Sequence, residues 1–339
     1  RISLTADYYY KKTKDLLLNA TLAPSMGFLS AYRNVGSVSN SGIELTIDTK
    51  NIQTKEFSWT SSFNISFNHN KVLSLNDDEP SLASRVNWGN FNNAYPYIAI
   101  PGHPIAMFYG HIFDGVYQYT DFDKVGEAYI LKDGVPNNGN AREKIQPGDI
   151  KFKDINRDGM VNDYDLTIIG NPNPKHIGGF GNNFQYKNFD LNVFFQWSYG
   201  GDVLNANRIE FEGGDPNART SLNMFASFAN RWTPENQTNE LYRIGGQGPA
   251  VYSSRTIEDG SFLRLKTISL GYRLPNAWLK KINIKSLRVY ASAQNLITWT
   301  KYSGPDPEVS TRPTALTPSF DWSPYPRPRT LTLGVDISF

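Results

Sequence analysis

The sequence contains no cysteine. That excludes disulfide staples and thiolate metal sites, and it leaves the redox compartment open. Long apolar runs are also missing: none approaches the ~20 residues of a transmembrane helix. Neither sign of charge dominates. The formal net charge is +2 over 339 residues, and no basic run points to a nucleic-acid partner. Histidine is scarce. His69, His103, His111 and His176 are the whole set, and none has HExxH or similar spacing. Acidic residues are numerous but scattered, so no glycosidase carboxylate pair can be argued. No Met opens the chain, and Arg1 already lies inside a strand pattern. The expectation is a piece of a longer protein, without that protein's N-terminal part.

What the sequence does have is alternation. Aromatic residues make up 14 % of the chain, and they recur at every second position. Ile2, Leu4, Ala6, Tyr8 and Tyr10 face away from Ser3, Thr5 and Asp7. Ile43, Leu45 and Ile47 oppose Glu44, Thr46 and Asp48. Phe57, Trp59, Phe63, Ile65 and Phe67 oppose Ser58, Thr60, Ser62, Asn64 and Ser66. A period of two is a strand's, and a helix would scramble the set. Further strands are expected near 177–187, 189–199, 261–274, 286–299 and 329–339. Helical turns are expected near Ser221–Trp232 and around Trp278.

The connections between these eight strands alternate in length. Short links fall at 51–56, 187–188 and 275–285, and long ones at 12–41, 70–176, 200–260 and 300–328. Antiparallel neighbours place successive links at opposite ends, so every long link shares one end. This asymmetry belongs to an outer-membrane barrel with short periplasmic turns and long extracellular loops. The fold expected is therefore all-β: an antiparallel transmembrane β-barrel whose aromatic face meets lipid and whose polar face lines the lumen. Negative mean hydropathy is compatible, because only alternate strand residues face lipid. A large soluble β-sandwich is the plainer alternative.

Asp154-Ile-Asn-Arg-Asp-Gly-Met-Val-Asn-Asp-Tyr-Asp165 fits the twelve-position calcium loop. Asp154, Asn156 and Asp158 take positions 1, 3 and 5, and Gly159 takes the sharp turn at 6. Met160 would offer its carbonyl, with Asn162 at 9 and Asp165 at 12, where Glu is usual. The expectation is a structural calcium inside the 70–176 excursion. A solvated Asp-Gly turn is the plainer reading. Among loop aromatics, Trp88, Tyr95, Tyr97, Trp232, Trp299, Tyr302 and Trp322 could stack on a substrate or contact a lid. Packing within the loops is the plainer role for each.

Several segments together resemble the SusC/RagA family of TonB-dependent outer-membrane transporters. They are Arg33-Asn-Val-Gly-Ser-Val-Ser-Asn-Ser-Gly-Ile-Glu-Leu45, Gly148-Asp-Ile-Lys-Phe-Lys-Asp-Ile-Asn-Arg-Asp-Gly159 and Ile169-Gly-Asn-Pro-Asn-Pro174. Ala293-Gln-Asn-Leu-Ile-Thr-Trp-Thr-Lys-Tyr-Ser-Gly304 and the strand ending in Phe339 complete the set. The resemblance implies a plugged barrel of about 22 strands, of which this chain supplies about the last eight. It implies that the plug and the TonB-contacting segment lie outside this stretch. It implies import of glycans or oligopeptides with a SusD-like surface lipoprotein, and no enzymatic activity. Long loops would be extracellular and the C-terminus periplasmic. Phe339 resembles the terminal aromatic signal read by the barrel-insertion machinery. Two other readings stay open: a self-contained small barrel with an adhesive or structural role, and a secreted carbohydrate-active β-protein with a structural calcium.

Overall fold

A computed structural model gives the fold. It describes every residue except 22–26, 28–29, 35, 76–78, 87–93, 214–221, 251, 281–282 and 312–313, with the backbone alone at 18–21, 30 and 32–34. One antiparallel sheet of eight strands runs through the chain in sequence order. Its members are β1 (Ile2–Thr13), β2 (Ser37–Gln53), β3 (Phe57–Ser74), β4 (His176–Tyr186), β5 (Phe189–Tyr199), β6 (Phe262–Arg273), β7 (Ser286–Thr300) and β8 (Thr330–Ser338). Each strand pairs with its neighbour in the chain. Every expected strand is present, and the first three run longer than the alternation alone marked.

The short links line up at one end of this wall. Lys187 N donates to Glu56 O at 2.7 Å, Arg273 N to Asn188 O at 2.8 Å, and Lys285 N to Ser338 O at 2.8 Å. The two-residue turn at Lys187–Asn188 takes Lys187 to φ +51°. The third link contains the expected helical turn, α2 (Asn276–Leu279).

Register keeps one side of the wall apolar. Phe63 lies opposite both Ile47 and Phe180. Phe180 in turn meets Phe195, which meets Leu265. Rings pair across strands: Trp59 on Phe184 at 5.6 Å, Phe63 on Trp197 at 5.5 Å, Phe189 on Tyr272 at 4.6 Å. Such cross-strand aromatic pairs add to sheet stability. Two bulges preserve the pattern. An extra residue in β6 between Leu265 and Thr267 lets Leu263 and Leu265 share a side with Ile268, Leu270 and Tyr272. A matching irregularity in β7 contains Asn295 at φ +52°. Strict alternation hides both bulges.

One polar row interrupts the apolar side. Ser61 lies opposite both Thr49 and Asn182. Ser61 Oγ donates to Asn182 Oδ1 at 2.7 Å, and Trp59 Nε1 donates to the same oxygen at 2.9 Å. Asn51 Nδ2 donates to Ser61 Oγ at 2.7 Å, and Thr49 Oγ1 to Asn51 Oδ1 at 2.9 Å. The row satisfies itself, as a hydrocarbon surrounding would require.

The long links fold into a separate layer. Strands 82–84, 97–99, 107–110 and 167–170 make a four-stranded sheet within the 70–176 span. Asp202–Asn205 pairs with Ile257–Asp259 and, in parallel, with Phe320–Asp321. One core joins Tyr97, Phe108, Leu204, Ile209 and Phe320 from three links. Another joins Ile150, Phe152, Val161, Trp232 and Tyr242. The helix expected at Ser221–Trp232 is only a short 3₁₀ turn, Ala226–Asn230. The reason is tertiary: Trp232 N donates to Leu241 O at 2.8 Å, and its buried ring draws the chain away. A helix the sequence did not signal, α1 (Asn207–Glu212), lies earlier in the same link.

Candidate functional site

The inner face of the wall carries Asn64, Ser66, Gln196 and Ser198, in register across β3, β4 and β5. Phe194 and Ile177 are apolar exceptions on this polar face. Above the wall lie the loop segments Pro172–Pro174, 201–203 and 307–309, and together they border an open cavity of about 670 Å³. The loop at 301–329 is anchored there by Arg264, which is 1 % exposed. Arg264 Nη2 meets Asp306 at 2.8 Å and Nη1 meets Glu308 at 2.6 Å, while Nε donates to Thr298 Oγ1 at 3.0 Å. Arg327 joins the same two carboxylates at 3.3 and 2.9 Å. Two guanidinium groups against two carboxylates leave the cluster neutral, so its burial carries no uncompensated charge.

A second ionic cluster ties the 200–261 link together. Glu212 accepts from Arg208 Nε at 2.9 Å, Arg255 Nη1 at 2.7 Å and Ser227 Oγ at 2.7 Å. Burial opposes ionisation of Glu212, but Ser227, Arg208 and Arg255 outweigh it and hold the carboxyl below its usual range. Asp321 goes the other way: burial raises its pKa, against the opposing hydrogen bond from the Tyr302 hydroxyl.

In the loop 154–165, Asp154 accepts backbone N–H from Arg157 at 2.6 Å and Gly159 at 2.8 Å. Asp158 accepts from Met160 N at 2.8 Å and from Asn156 Nδ2 at 2.9 Å. Asn162 Oδ1 accepts from Tyr164 N at 2.9 Å. Asp165, fully buried, reaches back to Ile155 N at 2.7 Å and Asn162 N at 2.9 Å, closing the loop. Gly159 stands at φ +84°, where a side chain would be strained. The donors fit a hard cation in kind and order. Among the described residues, however, no three acidic, His or Cys side chains converge as a metal set. Here N–H donors occupy the carboxylates.

The loop aromatics divide by location. Trp88 lies outside the described residues. Tyr97 is fully buried, with its hydroxyl donating to Pro318 O at 2.7 Å. Trp232 is buried and donates to Gln118 Oε1 at 3.0 Å. Tyr302 is buried against Asp321. Their ring faces are spent on packing, so a ligand cannot stack on them in this arrangement. Trp299 pairs with Leu263 and approaches Phe195 at 6.5 Å, which puts it on the outer side of the wall, away from the lumen. Trp322 is half-buried and stacked on Phe211 at 6.0 Å. Tyr95 is exposed. Phe339 is exposed beyond the end of β8. The residues missed from sequence are Phe194 and Arg264. Phe194 was visible as the one aromatic on the polar side of β5. Arg264 was hidden by the bulge in β6.

No family model matches the chain. Among curated proteins, TonB-dependent receptor P3 of Formosa agariphila is 36 % identical over 344 residues, covering 100 % of this chain and 32 % of that protein. TonB-dependent receptor SusC of Bacteroides thetaiotaomicron is 31 % identical over 347 residues, again across the whole chain and 30 % of the receptor. The chain thus spans about a third of the length of the curated relatives it matches. Among solved structures, the RagAB peptide transporter superposes with a TM-score of 0.77 at 26 % identity, over 100 % of this chain and 33 % of the transporter chain. Its open-open state gives 0.74 at 26 % identity. The eight-stranded wall, its loop layer and these whole-length similarities make the chain a stretch of a TonB-dependent receptor of the SusC/RagA type, a family of outer-membrane transporters and not of enzymes.

Proposed function

We propose that the protein carrying this chain imports glycans or oligopeptides across the outer membrane with TonB-supplied energy, alongside a SusD-like surface lipoprotein. The observation that carries this reading is the wall. Its apolar side is uncovered, as at Leu4, Leu270 and Leu333, and its polar side borders an open cavity beneath folded loops. An exposed apolar face of this extent needs lipid. The long links are extracellular and the short turns and C-terminus periplasmic, with Phe339 serving barrel insertion. The test is uptake by cells expressing the full-length protein, with and without functional TonB. Loss of uptake without TonB supports the reading; equal uptake in both contradicts it. Deleting Phe339 lowers the amount of barrel in the membrane; normal insertion of the truncated protein contradicts that role.

The loop 154–165 binds calcium as a structural tie, supported by the order of its donors and by Gly159 at the turn. Asp154, Asn156, Asp158, the Met160 carbonyl, Asn162 and Asp165 would hold the ion. Its charge would offset the mutual repulsion of the three aspartates.

A further inference from the structure

We propose that the outer side of the wall, at its long-link end, holds a lipid whose headgroup carries more than one phosphate. The inference rests on the reading of that side as lipid-facing and that end as extracellular, and it adds which lipid is held. Alternation decides the side. Lys12 follows Leu4, Tyr8 and Tyr10 on the outer side of β1; it lies opposite Ser39, which lies opposite Lys71. Toward the middle of the wall the next row is Tyr10, Ser41 and His69, and the one after it Tyr8, Ile43 and Phe67. Lys12, His69 and Lys71 are exposed. The acids of the same strands, Asp7, Glu44 and Asp48, fall on the inner side, in the rows of Ser66 and Ser62. The outer rim of β1, β2 and β3 is therefore cationic, with no carboxylate of these strands on it.

Rings mark the depth of this rim. Phe67 meets His176 at 5.5 Å, His176 stacks on Tyr199 at 5.1 Å, and Trp197 Nε1 donates to His176 Nδ1 at 3.1 Å. Aromatic girdles of this kind sit where hydrocarbon gives way to headgroups. Lys175 Nζ lies 5.8 Å from the centre of the Tyr199 ring, which puts a further cation at that level. Beside it opens a notch of about 400 Å³, lined among others by Tyr8, Ile43, Phe67, His69 and Lys175. The notch exists because β3 runs on to Ser74, whereas its ladder with β4 ends at Ser66 and Ile177. Among the described residues no carboxylate pairs with Lys12, Lys71 or Lys175. The acid whose field reaches Lys175, Asp202, is committed to Asn171 N–H at 2.7 Å. Unpaired cations above an apolar face fit an anion that is itself anchored in hydrocarbon. The exposed apolar row of Tyr8, Ile43 and Phe67 offers acyl chains a surface that a free phosphate ion would not use. Lys12 and Lys71 stand two strand spacings apart, roughly 10 Å, and Lys175 stands on the β4 side of the notch. Separated phosphates match that spread better than a single phosphodiester does.

The test uses the purified full-length transporter, stripped of lipid in detergent, and native mass spectrometry. The probes are a bisphosphorylated lipid A, its dephosphorylated form, phosphatidylglycerol and inorganic phosphate. Parent protein should retain the bisphosphorylated lipid in preference to the other two lipids, and inorganic phosphate should not displace it. Lys71→Gln combined with Lys175→Gln should weaken retention about tenfold, and the corresponding pair of Lys→Arg changes should keep it. Lys11→Gln, one position from Lys12 but on the inner side opposite Asn40, should change nothing. Equal retention of the dephosphorylated lipid or of phosphatidylglycerol overturns the proposal. So does unchanged retention in the double Gln variant, or an equal loss in Lys11→Gln. Displacement by inorganic phosphate overturns the lipid as occupant. The lipid-facing reading fails separately. A spin label on Ile65→Cys that collides with aqueous chelate and not with oxygen removes that reading and the site with it. Lost phosphate selectivity with the label in hydrocarbon overturns the site alone.

Discussion

The wall and the loop layer are built on opposite principles. In the wall, away from the two bulges, the side each residue faces is set by alternation along its strand. Phe57, Trp59 and Phe63 point one way, and Ser58, Thr60 and Ser62 the other, with partners one strand away. In the loop layer, neighbours come from distant parts of the chain. Phe320 packs with Tyr97, and Trp232 with Phe152. The wall uses its apolar residues outward and leaves them uncovered, as at Leu331 and Leu333. The loop layer buries them inward like a soluble domain. One chain therefore meets two solvents, and the same residue type carries opposite meanings in the two regions.

The largest effect should come where the regions join. Arg264→Ala leaves Asp306 and Glu308 with Arg327 alone. Breaking a buried pair this way costs about 3–5 kcal/mol. The loss should be local: hydrogen exchange at 301–329 should rise while the strands stay protected. Uniform loosening of wall and loop would erase the distinction drawn here.

Next in size is a charge on the outer side. Phe63→Arg should cost roughly 2–4 kcal/mol in a membrane-refolding assay if the site lies near the bilayer midplane. Ser62→Arg, on the inner side, should cost much less. Equal losses at both would mean that the aromatic side does not face lipid.

This contrast also explains what could be read from sequence. All eight strands were legible, because alternation is local and survives without knowledge of partners. The bulges at 265–267 and near Asn295 were not, since each needs the neighbouring strand to define the slip. In the loop layer, sequence showed the ordered oxygen-bearing side chains from Asp154 to Asp165 but not the backbone N–H groups that engage them. Nor did it separate aromatics such as Tyr97, which is buried, from Tyr95, which is exposed two residues earlier. Burial in that layer depends on chain segments more than a hundred positions away.

A smaller effect should appear with pH in the loop layer. Glu212 has a lowered pKa, so its contribution is complete above the ordinary Glu value of about 4.3 and is lost as pH falls through its lower folded value. Exchange protection at 207–212 should be flat from neutral pH downward and then drop in strong acid. Glu212→Gln should remove that step. Burial raises Asp149 and Asp321 instead, so global melting mixes opposing contributions and local exchange is the measurement to use. A step of the same size in the Gln variant would assign the acid sensitivity elsewhere.

The smallest effect should be that of Asp158→Ala, which should loosen the excursion while leaving the wall inserted. Limited proteolysis with and without chelator checks it. If residues 140–170 are cut equally in both conditions, and the variant matches the parent, the loop is an acidic turn held only by its own N–H donors.

The absence of cysteine from this chain permits the most direct test of the central claim, that one side of the wall meets lipid and the other an aqueous lumen. Single cysteines placed at each position from 57 to 67 of the full-length transporter, with any elsewhere replaced, can carry a spin label in a reconstituted bilayer. Collision with oxygen reports lipid, and collision with a water-soluble nickel chelate reports the lumen. The account predicts oxygen maxima at 57, 59, 61, 63, 65 and 67 and chelate maxima at 58, 60, 62, 64 and 66. Equal accessibility to both quenchers along the strand, or the reverse phase, would contradict it.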